Sequence, residues 1–205
     1  MGLCATPVME MIVKAMHRLS TRIAAAVLLL SLSPVLAQEA PTFIGAEGCG
    51  VCHRNPERGD QYHKWLKDDP HALAYATLLG PKAKGIAKEM GIEEPQKSEK
   101  CLKCHATAAI LKPEQITGTM PVSEGISCEG CHGAGSRYNK LNIMSDYERA
   151  KSRGLIPLKK PEERKALCGQ CHNKDMPKAV YKEIDLVKSW KGKIEHPLIR
   201  EKEDK

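Results

Sequence analysis

Aromatic side chains are scarce in this chain. Beyond residue 37 it holds one Phe (Phe43) and two Trp (Trp65 and Trp190). That is poor material for a side-chain core of such length, so apolar area must come from somewhere else. Strand patterning is also missing, with no alternating run of any length, which excludes a sandwich or barrel. Spare cysteines are missing too. Of nine Cys, eight fall in one recurring unit and only Cys4 is left over, which argues against a disulfide framework. The basic residues are neither interleaved with aromatics nor part of a binding motif, so no nucleic-acid partner is expected.

What the chain does have is Cys-Xaa-Xaa-Cys-His, four times. The copies are Cys49-Gly50-Val51-Cys52-His53, Cys101-Leu102-Lys103-Cys104-His105, Cys128-Glu129-Gly130-Cys131-His132 and Cys168-Gly169-Gln170-Cys171-His172. The unit reads as a c-type haem attachment site. Two thiols three positions apart can each bond a vinyl carbon of one porphyrin, and the following His lies under the iron as its proximal ligand. Zinc is the competing reading of paired Cys-Xaa-Xaa-Cys units. It gives no reason for a His after every second Cys. The cofactors expected are therefore four haem c groups with their iron. Porphyrin area would replace the missing aromatic core, and the haem-free chain is expected not to fold. The first cysteines are 52, 27 and 40 residues apart, which is not a regular repeat array.

The N-terminus reads as an export signal. Lys14, His17, Arg18 and Arg22 form a basic region, Ile23 to Leu32 an apolar one, and Ser33-Pro34 ends it. Val35-Leu36-Ala37 is a small-residue cleavage site, so residues 1–37 are expected to be a signal peptide and residues 38–205 the tetrahaem domain. Met9, Met11 and Met16 are alternative starts. Ten apolar residues are too few for an uncleaved anchor to span a bilayer. Export places the protein in the periplasm. Cleavage lowers the formal charge from +7 to +5. Haem propionates would absorb most of that excess.

Along the chain, residues 38–47 read as an extended lead-in. Asp69-Pro70 is an N-cap followed by a first helical residue, predicting a helix that carries His71 in its first turn and runs through Leu79 to Gly80-Pro81. A second helix is expected from Lys82 to Met90, and Ser98 is a candidate cap before the second motif. Gly125 and Gly133-Ala134-Gly135 frame the third motif and suggest tight turns and close backbone approach to a haem face. Ser145-Asp146-Tyr147-Glu148 has the form of a capping box whose helix ends at Gly154. Pro161 opens a helix leading to the fourth motif, and a last helix is expected over residues 178–191. The fold class expected is mainly α: one domain of short helices and loops wrapped around four haems.

Four proximal His use up four of the seven His beyond residue 37, leaving His63, His71 and His196. Four irons cannot all be bis-histidine. His71 is the strongest distal candidate, on a capped turn beside small residues. His196, before Pro197, is next, and His63 is weaker. Met144 is a candidate thioether ligand, ahead of Met90, Met120 and Met176, although Met is more often core filler.

Several of these stretches together resemble the cytochrome c-554 family of tetrahaem cytochromes. They are the first motif with Trp65 and His71-Ala72-Leu73-Ala74, the run from Gly125 to Gly135 through the third motif, the fourth motif, and a C-terminal His, here His196. The resemblance implies a mainly helical protein with haems in stacked pairs. It implies that His71 ligates the fourth haem and His196 the third, and that the second haem, on His105, is five-coordinate. The family pattern has a further His after the third motif as ligand to the first haem. Here no His lies between His132 and His172, and Met144 occupies the corresponding stretch.

The function expected is electron relay between redox proteins, one donor and one acceptor, free or docked as part of a membrane redox complex. An electron carrier needs no catalytic residue, and none is assigned. The alternative is an enzyme: a small reductase acting on nitric oxide, nitrite, hydroxylamine or a sulfur oxyanion at an open haem.

Overall fold

The computed structural model describes residues 39–178, 181 and 183–196, with Met11 and Met16. Cys4, the export segment and its cleavage site lie outside the described residues, as do 179, 180 and 182 of the last expected helix. From Ala40 onward the chain forms one compact unit. It is mainly helical, and its helices are short: α1 Gly45–His53, α2 Gln61–Asp68, α3 Ala74–Thr77, α4 Pro81–Glu89, α5 Glu99–His105, α6 Cys128–His132, α7 Leu141–Met144, α8 Tyr147–Ser152, α9 Pro161–Cys168 and α10 Leu186–Ser189, the last running into a π turn over Trp190–Ile194. Single 3₁₀ turns join several of them. Among the described residues β pairing amounts to one isolated bridge, Phe43 with Ile116. No helix among them is long and apolar enough to cross a membrane.

The side-chain core is thin. Ala46, Tyr62, Trp65 and Ala72 form its buried cluster, and the half-buried Cys128 packs against it. This cluster draws α1, α2 and the His71 turn onto the third motif. The Trp65 indole donates to Ile126 O at 3.0 Å, so the large ring of α2 is also tied to the loop before α6.

Local signals placed most elements well and a few differently. Pro81 opens α4 and Gly91, at φ +65°, follows its end. Pro161 opens α9, where the Glu163 carboxylate accepts from Lys160 N at 3.0 Å. Asp146, not Ser145, caps α8 by accepting from Arg149 N at 3.0 Å. Ser98 precedes α5 without capping it with its side chain. The lead-in is shorter than expected, since α1 starts at Gly45.

The largest departure is at His71. No continuous helix runs from Pro70. Residues 70–73 form successive i+3 turns, with Ala72 N on Asp69 O, Leu73 N on Pro70 O and Ala74 N on His71 O, and α3 begins only at Ala74. The cause is competition for backbone groups. Asp69 caps the turn as expected, its Oδ1 accepting the His71 N–H at 2.9 Å, but His71 O accepts from Ile126 N at 2.9 Å as well as from Ala74 N. A carbonyl bonded from outside helps hold a tight turn here rather than a full helix.

Candidate haem sites

Three of the motifs are helical turns. The first closes α1, the second closes α5 and the third is α6, while the fourth starts at Cys168, the last residue of α9, and continues as a turn to His172. Cysteines at i and i+3 of a turn share one face, which matches two attachment points on one porphyrin edge. All eight motif thiols are free, with no disulfide among them.

Most of the histidines are oriented by a second bond. His53 Nδ1 lies 3.1 Å from Gln61 Oε1, across α1 and α2. His105 Nδ1 lies 2.7 Å from Ala74 O and 3.2 Å from Thr77 Oγ1, so α3 supports the second motif. His71 Nδ1 lies 2.8 Å from the buried Asp69 carboxylate. Occupying one ring nitrogen fixes the ring plane and leaves the other free to bind metal.

Two pairs of rings face each other. The centroids of His71 and His172 are 5.9 Å apart with planes at 76°, and those of His132 and His196 are 6.1 Å apart at 73°. Metal–imidazole bonds of about 2.0 Å and ring radii of about 1 Å put two imidazoles trans on one metal about 6 Å apart. Burial, then the neighbouring His196, holds His132 down to about 4, so it is a neutral ligand-type imidazole at ordinary pH. Burial also lowers His172 and His196.

The same side chains show which motifs are neighbours. The Cys128 thiol is pushed up first by its hydrogen bond with Cys49 and then by burial. Cys171 is pushed up to about 12 by burial and by its bond with Cys104. Cys131 reaches about 12 through burial, with the charge of Asp69 and of Cys168 adding to it. The charges felt by His132 come from His196 and His53, and those felt by His172 from His71 and His105. The motifs therefore adjoin in the order first, third, fourth, second.

The third motif is the most tightly held. Glu129, at its first variable position, is 3 % exposed. Its carboxylate accepts from Ile44 N at 3.0 Å, Gly45 N at 2.8 Å and Gly135 N at 2.6 Å. It caps the start of α1 from another helix and clamps the Gly133–Gly135 turn, binding the first motif's helix to the third motif. Tyr138 Oη bonds His132 O at 3.1 Å and Gly133 O at 2.7 Å, closing the C-terminal end of α6. Gly125 and Gly133 are required for backbone contact. A Cβ on Gly125 (φ +67°) would lie 2.5 Å from His71 O, and one on Gly133 (φ +79°) 2.9 Å from Gly154 O. The close approach predicted for these glycines is made to neighbouring main chain. The motif pattern hides Glu129, because any residue satisfies that position. Asp69 was legible as a cap; its grip on the His71 ring was not.

The weaker ligand candidates lie elsewhere. His63 Nδ1 is 2.7 Å from Asp60 Oδ1, and the ring stands edge-on to Tyr62. Met144 is the half-buried last residue of α7, its N–H bonded to Lys140 O at 2.9 Å. Met90 is 40 % exposed just past α4, and Met120 is buried.

The donor chemistry fits haem and does not fit zinc. A zinc site needs three or four converging donors. Among the described residues no group of three His, Cys, Asp or Glu converges in that way. The donors come instead as thiol pairs on single turns and imidazoles in opposed pairs.

A family model described as cytochrome c554 and c-prime matches residues 48–133, from the first motif through the third. Cytochrome c-554 of Nitrosomonas europaea is 30% identical over 161 residues, covering 73% of this chain and 65% of that protein. The chain thus spans just under two thirds of its relative's length. No solved structure matches. Motifs, helical architecture and sequence likeness agree: the chain is similar to the cytochrome c-554 family, whose cofactor is covalently bound haem c with iron.

Proposed function

We propose that this protein is an exported, periplasmic tetrahaem electron carrier, its signal segment cleaved after Ala37 and its domain spanning residues 38–205. The two opposed imidazole pairs carry this reading, because an iron closed on both faces passes electrons without binding a substrate. Haem c supplies reversible one-electron storage when bound. The rest is done by the chain. His53, His105, His132 and His172 are the proximal ligands, each beside its thiol pair. His71 is the second ligand opposite His172, and His196 that opposite His132. Met144 is assigned to the centre on His53. The motif order first, third, fourth, second gives a continuous line of neighbours, with ends at the first and second motifs. Redox proteins deliver and accept electrons at those ends, guided by complementary surface charge. A partner can be free or part of a membrane complex.

A second reading is favoured by one observation. Among the described residues no second ring faces His105, whose own ring is held by Ala74 and Thr77. An iron there has room for a small molecule such as nitric oxide or hydroxylamine, and the protein would then be a reductase. One titration separates the two. Nitric oxide added to the ferric protein should leave at least two haem spectra unchanged under either reading. The carrier reading allows nitric oxide to bind at the one open haem without turnover, whereas the reductase reading requires a change at that haem and turnover with a reductant.

A further inference from the structure

Trp190 has a buried indole Nε1 with no hydrogen-bond partner among the described residues. A buried donor of this kind is costly unless it meets an acceptor. Above the ring, 4.3 Å from its centroid, lies the Arg164 guanidinium. Arg164 is fixed in place: Nε donates to Leu158 O at 2.6 Å and Nη2 to Lys159 O at 3.0 Å. Those two bonds leave other N–H groups of the fork unused. Among the described residues no Asp or Glu pairs with it. A buried N–H beside a cation that lacks an anion is the donor set for a carboxylate.

Its position narrows the ligand. Arg164 is on α9, which delivers the fourth motif, and Trp190 opens the π turn that runs directly into His196, with Glu195 N bonded to Trp190 O at 2.8 Å. We infer that Trp190 Nε1 and Arg164 form a carboxylate site whose occupant is a propionate of the haem held between His132 and His196. This rests on the haem reading above. It gives Trp190 a role as a positioning residue: it fixes one propionate and, through the π turn, the approach of His196.

Trp190→Phe keeps an aromatic ring and removes the N–H, and Arg164→Lys keeps the charge and removes the fork. Each purified holoprotein is first weighed. Loss of haem from the unmutated protein itself would defeat the tetrahaem reading, which is a separate failure. With four haems present, the expected result is a shifted propionate bending band for one haem in resonance Raman spectra of both variants. The same haem should have a lower midpoint potential, because its carboxylate has lost a neutralising donor. Unchanged propionate bands and potentials in Trp190→Phe would overturn the inference. So would acetate added to the native protein, if it altered the Trp190 ultraviolet Raman signal, since a free carboxylate would then be the occupant.

Discussion

His132 and His172 each face a second imidazole, at 6.1 and 5.9 Å, whereas His53 and His105 are held only from the side, by Gln61 and by Ala74 with Thr77. The paired centres lie in the middle of the motif order and the unpaired ones at its ends. The paired rings also draw on distant chain, one partner coming from the turn after α2 and the other from beyond α10. Among the described residues the unpaired rings are fixed by neighbouring helices. The difference teaches where the fold invests its long-range contacts. They bring a second imidazole to each inner motif, and among the described residues they bring none to the outer motifs.

The largest expected effect erases the comparison altogether. Chain expressed without haem attachment should lack a cooperative unfolding transition, because its buried side-chain core is small. Circular dichroism with thermal melting checks this, and a sharp melt of the haem-free chain would show that side chains suffice.

Next comes Glu129→Ala, which strips the acceptor from three buried or half-buried N–H groups. At about 1–3 kcal/mol for each orphaned donor, partly offset by relaxation, a loss of about 3–5 kcal/mol is expected in denaturant unfolding of the holoprotein. A loss under about 1 kcal/mol would mean that the third motif is no better locked than the others.

His71→Ala should turn one low-spin haem high-spin and destabilise the fold by about 1–3 kcal/mol, since it also removes a partner from buried Asp69. Asp69→Asn tests the same centre more gently. The haem stays low-spin, but its iron ligand is less basic, so its potential rises. Met144→Ala should have the smallest effect on stability and should lower one potential, because a thioether ligand raises it. Potentiometry showing all four potentials unchanged would remove Met144 from the first centre.

What was legible in the residues follows from covalent chemistry. Haem attachment fixes Cys and His at rigid spacing, so the four motifs and their proximal His stand out in the chain. Pro81, Pro161 and Asp146 likewise mark helix starts by local physics. Long-range contacts leave no such mark. Counting His showed that the irons cannot be equivalent, yet no spacing says that His71 faces His172, which is about a hundred residues away. The helix expected at His71 failed because Ile126, far along the chain, takes a carbonyl that local reasoning assigns to a helical turn. Glu129 was invisible because its three partners come from two distant segments.

Low-temperature electron paramagnetic resonance of the ferric protein tests the inequality of the centres most directly, because it counts spin states haem by haem. Three low-spin haems and one high-spin haem are expected. Two of the low-spin signals should show the strong anisotropy of nearly perpendicular axial imidazoles, in keeping with interplanar angles of 76° and 73°. Four low-spin haems would contradict the open centre at His105, and fewer than two bis-imidazole signals would contradict the pairing of His71 with His172 and of His196 with His132.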